Sequence, residues 1–104
     1  MATNPMLALH VVVQMALADA QRFGAEPLQL VLAKSVQWPG SALGCPEPDM
    51  AYTQALVPGF RVQVRVGQQL LYYRAARQGA PRPCPADRRR PPGDGSDHLT
   101  PDTP

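Results

Sequence analysis

The order of periodicities along this chain predicts an α+β domain: one N-terminal helix packed on a four-stranded antiparallel sheet, with a disordered C-terminal tail. Three observations carry the prediction. Apolar residues recur at helical spacing from Met6 to Phe23. Runs of extended character joined by short links follow, between Leu28 and Arg74. Beyond Gly79 there is almost no apolar content apart from Leu99, and seven of the thirteen prolines (81, 83, 85, 91, 92, 101, 104) fall there. Such a stretch buries too little surface to offset its chain entropy. The reading is therefore a single domain over 4–79 and a Pro/Arg-rich disordered tail over 80–104.

Asn4-Pro5 is a helix start, because Asn caps free N–H groups and Pro is tolerated at the first helical position. Met6, Leu9, Val13, Ala16, Ala20 and Phe23 form the stripe, widened by Val12 and Leu17, and Gly24 supplies a left-handed stop near residue 23. The β-branched Val11-Val12-Val13 has poor helix propensity, so burial against a sheet must hold it. The run 28–38 reads as a strand with Leu28, Leu30 and Leu32 facing one way and Val36 and Trp38 resuming that face. A second strand is expected over 51–57, with Pro58-Gly59 interrupting it as a turn or bulge. In the third, Phe60, Val62, Val64 and Val66 point inward while Arg61, Gln63 and Arg65 point outward. Gly67-Gln68 makes a hairpin turn into the last strand, 70–74. Sequential strands with short links give an antiparallel meander with the helix across its inner face, the logic of cystatin-like folds.

Charge is uneven. Residues 1–60 carry −2, residues 61–90 carry +7 and the last fourteen carry −3. Nine Arg against one Lys, with no Ile, fits the codon bias of a GC-rich genome. The Arg88-Arg89-Arg90 run reads as solvated tail, which argues against nucleic acid as a partner. The apolar stretch Leu7–Ala18 is too short for a transmembrane span and holds His10 and Gln14. No positive n-region precedes it, so the expected compartment is the cytoplasm.

The chemistry-bearing residues name no reaction. His10 and His98 lie at opposite ends, and Ser35 and Ser41 have no base nearby in sequence. Cys45 and Cys84 lack a metal-ligand spacing, and neither a metal nor a cofactor is called for. Glu47 and Asp49 flank Pro48 on a Pro-rich loop, where carboxylates are usually solvated. Trp38, Tyr52, Tyr72 and Tyr73 could form an aromatic face, though Trp38 fits better as a strand-end residue closing the core. Arg61, Arg65 and Arg74 could line up on the outer sheet face and meet an anionic partner.

The most specific stretch is WPGSALGCPEPDMAYTQALVPGF, residues 38–60. With the alternating strand, Gly turn and Tyr-rich strand after it, it resembles a family of small bacterial domains. Their members read W-P-D-x-S-L-G-C-P-x-P-G-x-x-Y-x-Q-x-x-x-P-G-Y. The helix end Arg22-Phe23-Gly24 is similar to the family's R-L-G, and the resemblance covers residues 10–84. This chain has Gly40 where an acidic residue is usual, Asp49 where Gly is usual and Arg74 where His is frequent. The family has no assigned activity. Its members are often exported or lipid-anchored, and by fold analogy it is similar to peptidase-associated PepSY domains. The resemblance implies a Cys45–Cys84 bridge, whereas a cytoplasmic chain would keep both thiols reduced; both alternatives stand.

The expected function is a non-enzymatic module, with an inhibitor-like role as one form of it, that contacts an unidentified protein or peptide through the 38–59 loop. The binding set is Trp38, Leu43, Gly44, Cys45, Pro46, Glu47, Pro48, Asp49, Tyr52, Gln54, Pro58 and Gly59. The alternative is a thiol-dependent enzyme or redox accessory protein acting through Cys45. Nothing in the sequence sets the oligomeric state.

Overall fold

A computed structural model describes residues 5–90, with side chains from Ala8 onward except that of Ala86. Asn4, His98, Leu99 and the expected tail over 91–104 lie outside the described residues. Helix α1 spans Pro5–Ala20 and tightens into a 3-10 turn, Gln21–Phe23. Strands β1 (Leu28–Trp38), β2 (Val57–Val66), β3 (Gln69–Ala76) and β4 (Arg82–Pro83) follow, then a 3-10 turn at Ala86–Arg88. The four strands form one antiparallel sheet in the order β1-β2-β3-β4.

The core lies between α1 and one face of the sheet. Val12, Val13, Ala16 and Ala20 are buried against Phe60, Val62, Val64 and Val66 of β2 and Leu71, Tyr73 and Ala75 of β3. The inward residues are register partners, Phe60 with Ala75, Val62 with Tyr73 and Val64 with Leu71. Ala16 and Ala20 let the helix axis approach closely, and each buried Val or Phe contributes roughly 1.5–3 kcal/mol. Polar bonding also crosses this interface. The Tyr73 hydroxyl donates to Asp19 Oδ2 at 2.7 Å, while Arg22 Nε donates to Asp19 Oδ1 at 2.8 Å. The Arg22 hydrogen bond, aided by that from Tyr73, holds the Asp19 carboxyl below its ordinary range. Burial, then the bond to Asp19, pushes the Tyr73 hydroxyl well above its ordinary value.

Five sequence expectations are corrected in detail. Gly24 leaves the helix in extended backbone, φ 165°, because the 3-10 turn has already ended it. The 51–57 run forms no strand beyond Val57, since both backbone groups of Thr53 are engaged by Ser41: Ser41 N donates to Thr53 O (3.1 Å) and Thr53 N to Ser41 Oγ (3.0 Å). Pro58 and Gly59 are not a turn but part of β2; the missing N–H of Pro58 falls where β3 ends, and its carbonyl still accepts from Arg77 N at 3.1 Å.

The fourth strand comes instead from the segment expected to be tail. Arg74 pairs with Arg82 and Tyr73 with Pro83, at an edge where Pro is tolerated. Pro81 and Cys84 are buried, so the described domain runs past Gly79 to residue 90. Lastly, the register of β1 shifts between Leu30 and Leu32. The extra residue, Val31, reverses the alternation. Leu28, Leu30 and Ala33 pair with inward residues Val66, Val64 and Val62, whereas Val36 and Trp38 pair with Gly59 and Val57 on the face away from the helix.

Two outcomes follow from this packing. Val62→Asp places an unpaired charge under α1 and is expected to cost at least about 4 kcal/mol, abolishing cooperative thermal unfolding, while Gln29→Asp on the exposed edge stays within about 0.5 kcal/mol. A normal transition for Val62→Asp would refute the register. The raised Tyr73 pKa means that folding favours its neutral form, so its contribution is fully present below the unfolded tyrosine value of about 10 and is lost as pH rises beyond it. Thermal melts from about pH 8 to about pH 12 are expected to fall less steeply for Tyr73→Phe than for the unsubstituted chain.

Candidate functional site

The sheet face opposite the helix is built around Trp38. Turned there by the bulge, it is 4 % exposed and donates from Nε1 to the Ala75 carbonyl at 3.3 Å. Gly59 makes this possible, because a side chain there would collide with the Ala75 carbonyl and crowd the indole. Gly44 does the same from the loop side. Its φ is 76°, and a Cβ would strike the Trp38 ring and the Arg90 carbonyl.

The loop between β1 and β2 is fastened over this tryptophan by covalent and polar ties. Cys45 and Cys84 form a disulfide with Cα atoms 5.9 Å apart. Arg90 N donates to the Gly44 carbonyl at 2.7 Å, drawing residues after β4 across the same place. Further along, Glu47 N donates to the Tyr52 hydroxyl at 3.0 Å, and Ser41 clamps Thr53. Leu43 (φ 54°) and Asp49 (φ 66°) hold left-handed backbone, which side-chain-bearing residues adopt only at a cost.

Between loop and sheet lies a pocket of about 230 Å³, lined by Trp38, Leu43, Gly44, Arg61, Tyr72, Tyr73, Arg74, Cys84, Arg89 and Arg90. Arg61 and Arg74 face each other across the β2–β3 ladder. Arg74 Nη1 donates to the carbonyls of Pro83 (2.8 Å) and Arg82 (3.2 Å), and the Arg89 guanidinium lies 3.5 Å over the Tyr72 ring. Burial, then the charges of Arg82 and Arg88, lower the Arg74 pKa, against a smaller opposing pull from Glu47. Arg74 Nε and Arg89 Nε are buried with no hydrogen-bond partner among the described residues.

Of the expected binding set, Trp38, Leu43 and Gly44 line this pocket, with Cys45 bridged beside it and Gly59 beneath the indole. Glu47, Pro48, Asp49, Gln54 and Pro58 are exposed and do not line it, while Pro46 and Tyr52 are half-buried in the loop. The aromatic residues do not form one face: Tyr72 lies toward the pocket and the Tyr73 hydroxyl toward the helix. Arg65 does not line the pocket. Arg89 and Arg90 were not in the expected set, because a run of arginines among prolines reads as solvated tail. The signal that could have found them is Cys84, which fastens the segment just before them.

Cys45 is 2 % exposed and bridged, so it presents no thiolate for attack. Among the described residues, no group of three His, Cys, Asp or Glu side chains could hold a metal ion, and no helix is long and apolar enough to cross a membrane. With its ends 39 positions apart in sequence, the bridge stabilises the fold by about 4 kcal/mol in the chain-entropy account. Cys84→Ser is expected to lose up to that amount, and truncation after Gly79 to lose more, because β4 and the Arg90–Gly44 bond go as well. Melts in which the truncated and full chains coincide would remove residues 80–90 from the domain.

No curated protein and no solved structure matches the chain. One family does, over residues 11–84, a span that begins within the helix and closes on the bridged Cys84. The chain belongs to that family, a domain of unknown function designated DUF8738.

Proposed function

We propose that this domain is a non-enzymatic binding module that contacts a protein or peptide through the loop between β1 and β2. The observation that supports the reading is the bracing of that loop. It is anchored by a disulfide and by the Ser41–Thr53 clamp, yet it leaves Met50 58 % and Leu56 66 % exposed beside the carboxylates of Glu47 and Asp49. A loop fixed before binding loses little conformational freedom on association, so its apolar contacts translate more fully into affinity. An inhibitor-like role is one form of this, since Pro46 and Pro48 stiffen the segment, Pro48 within a turn in which Met50 N donates to the Glu47 carbonyl at 3.4 Å, and a stiff turn resists cleavage. The thiol-dependent alternative would first require reduction of the Cys45–Cys84 bridge. A bridged pair also suits an oxidising compartment.

The test is affinity capture by the oxidised protein from extracts of its source, followed by titration of each captured partner. Glu47→Gln with Asp49→Asn, and separately Met50→Ser with Leu56→Ser, are expected to leave the melting temperature nearly unchanged, because all four side chains are exposed and Asn tolerates the left-handed backbone at position 49. Each pair is expected to weaken binding at least about tenfold, or about 1.4 kcal/mol. A partner that binds both double variants as tightly as the unsubstituted chain would move the interface off this loop.

A further inference from the structure

The pocket beneath the loop has a chemistry that contact through the loop tip does not use. Four arginines, Arg61, Arg74, Arg89 and Arg90, share its wall with Trp38, Leu43 and Tyr72. Contacts within the fold already engage these guanidinium groups, among them Arg90, whose Nη1 donates to the Arg89 carbonyl at 2.9 Å. The carbonyls of Arg82 and Pro83 hold Arg74, and stacking on Tyr72 holds Arg89. Neither Arg74 nor Arg89 is hydrogen-bonded to a carboxylate among the described residues. Glu47 exerts an electrostatic pull on Arg74, but its side chain is exposed to solvent. Buried donors are ordinarily satisfied, so an orphaned Nε on each of two neighbouring arginines calls for an acceptor.

We propose that this pocket is a binding site for an oxyanion, a carboxylate or a phosphate, carried on a small apolar or aromatic body. The arginines supply charge-assisted donors for the oxygens, and the Trp38, Leu43 and Tyr72 surfaces cover the body. The volume limits the ligand. About 230 Å³ is less than the roughly 300–1,000 Å³ of sites for drug-sized molecules, so it takes one ring or one side chain with its acid group. The site rests on the arginines and not on the loop tip, and it stands or falls apart from the reading of Met50 and Leu56.

The test is a titration of the oxidised full chain followed by proton–nitrogen resonances of the arginine Nε–H groups and the Trp38 indole. The probes are benzoate, phenyl phosphate, inorganic phosphate and the neutral isostere benzamide. Benzoate or phenyl phosphate is expected to shift the Arg74, Arg89 and Trp38 resonances saturably, and the tighter of the two identifies the acid group. Benzamide is expected to bind at least about tenfold more weakly than benzoate, and inorganic phosphate at least about tenfold more weakly than phenyl phosphate. Arg74→Gln also removes bonds that hold β4, so Arg89→Gln carries the test, with affinity for the better probe falling at least about tenfold while the chain keeps its cooperative melt, lowered only by the loss of the Tyr72 stacking contact. Met50→Ser with Leu56→Ser is expected to leave the shifts intact. The proposal is overturned if neither aromatic anion shifts these resonances, if benzamide matches benzoate, if inorganic phosphate matches phenyl phosphate, or if Arg89→Gln binds as tightly as the unsubstituted chain.

Discussion

A single extra residue in β1 decides how both faces of this sheet are used. Up to Leu30 the strand points its larger side chains toward the helix, but the register shift around Val31 sends Val36 and Trp38 to the opposite side. Had the alternation continued unbroken, Trp38 would have competed with Phe60 and Tyr73 for space under α1. The bulge instead leaves small or polar partners, Ala33 and Ser35, opposite Val62 and Phe60, and gives the far face an aromatic anchor of its own. A bulge is a local event, but because strand periodicity is two, everything after it changes sides.

From that anchor the second layer follows. A sheet packed on one side only would leave Trp38, Val36 and Gly59 in water; here all three are buried. The loop and the residues after β4 lie over the Trp38 end of this face, and the disulfide joins the two segments to each other. Entropy explains why covalent help is useful. The loop carries few apolar side chains able to hold it down, and two of its residues occupy left-handed backbone, so its weak contacts alone would not offset the cost of ordering it.

The same layering separates two kinds of surface. Acidic and apolar residues of the loop, Glu47, Asp49, Met50 and Leu56, face outward, whereas arginines contributed by β2, β3 and the segment after β4 converge underneath. The arginines come from positions up to 29 residues apart in sequence, Arg61 to Arg90, and only the strand register and the bridge bring them together. Carbonyl and ring contacts hold Arg74 and Arg89 in this half-buried site, and the Nε of each keeps hydrogen-bonding capacity unspent.

Periodicity in the sequence was sufficient for the helix, for the three long strands in outline and for the inward side of β2 and β3, because burial on one face imprints a repeat that needs no knowledge of partners. The helix stripe and the Phe60–Val66 alternation were legible for that reason. So was the irregular but specified backbone path of the 38–60 segment, marked by its Gly, Pro and Trp. What the sequence could not show were events settled by pairing. A bulge has no composition of its own, so the side taken by Trp38 was invisible. Thr53 looked like strand until Ser41 occupied its backbone groups. Arg82–Pro83 looked like tail because a two-residue edge strand has no period, and its place comes from β3 and from Cys84. The pocket belongs wholly to this second category: tertiary structure alone gathered Arg61, Arg74, Arg89 and Arg90 around Tyr72 and Trp38, since residues distant in the chain become neighbours only when strands pair and a bridge closes.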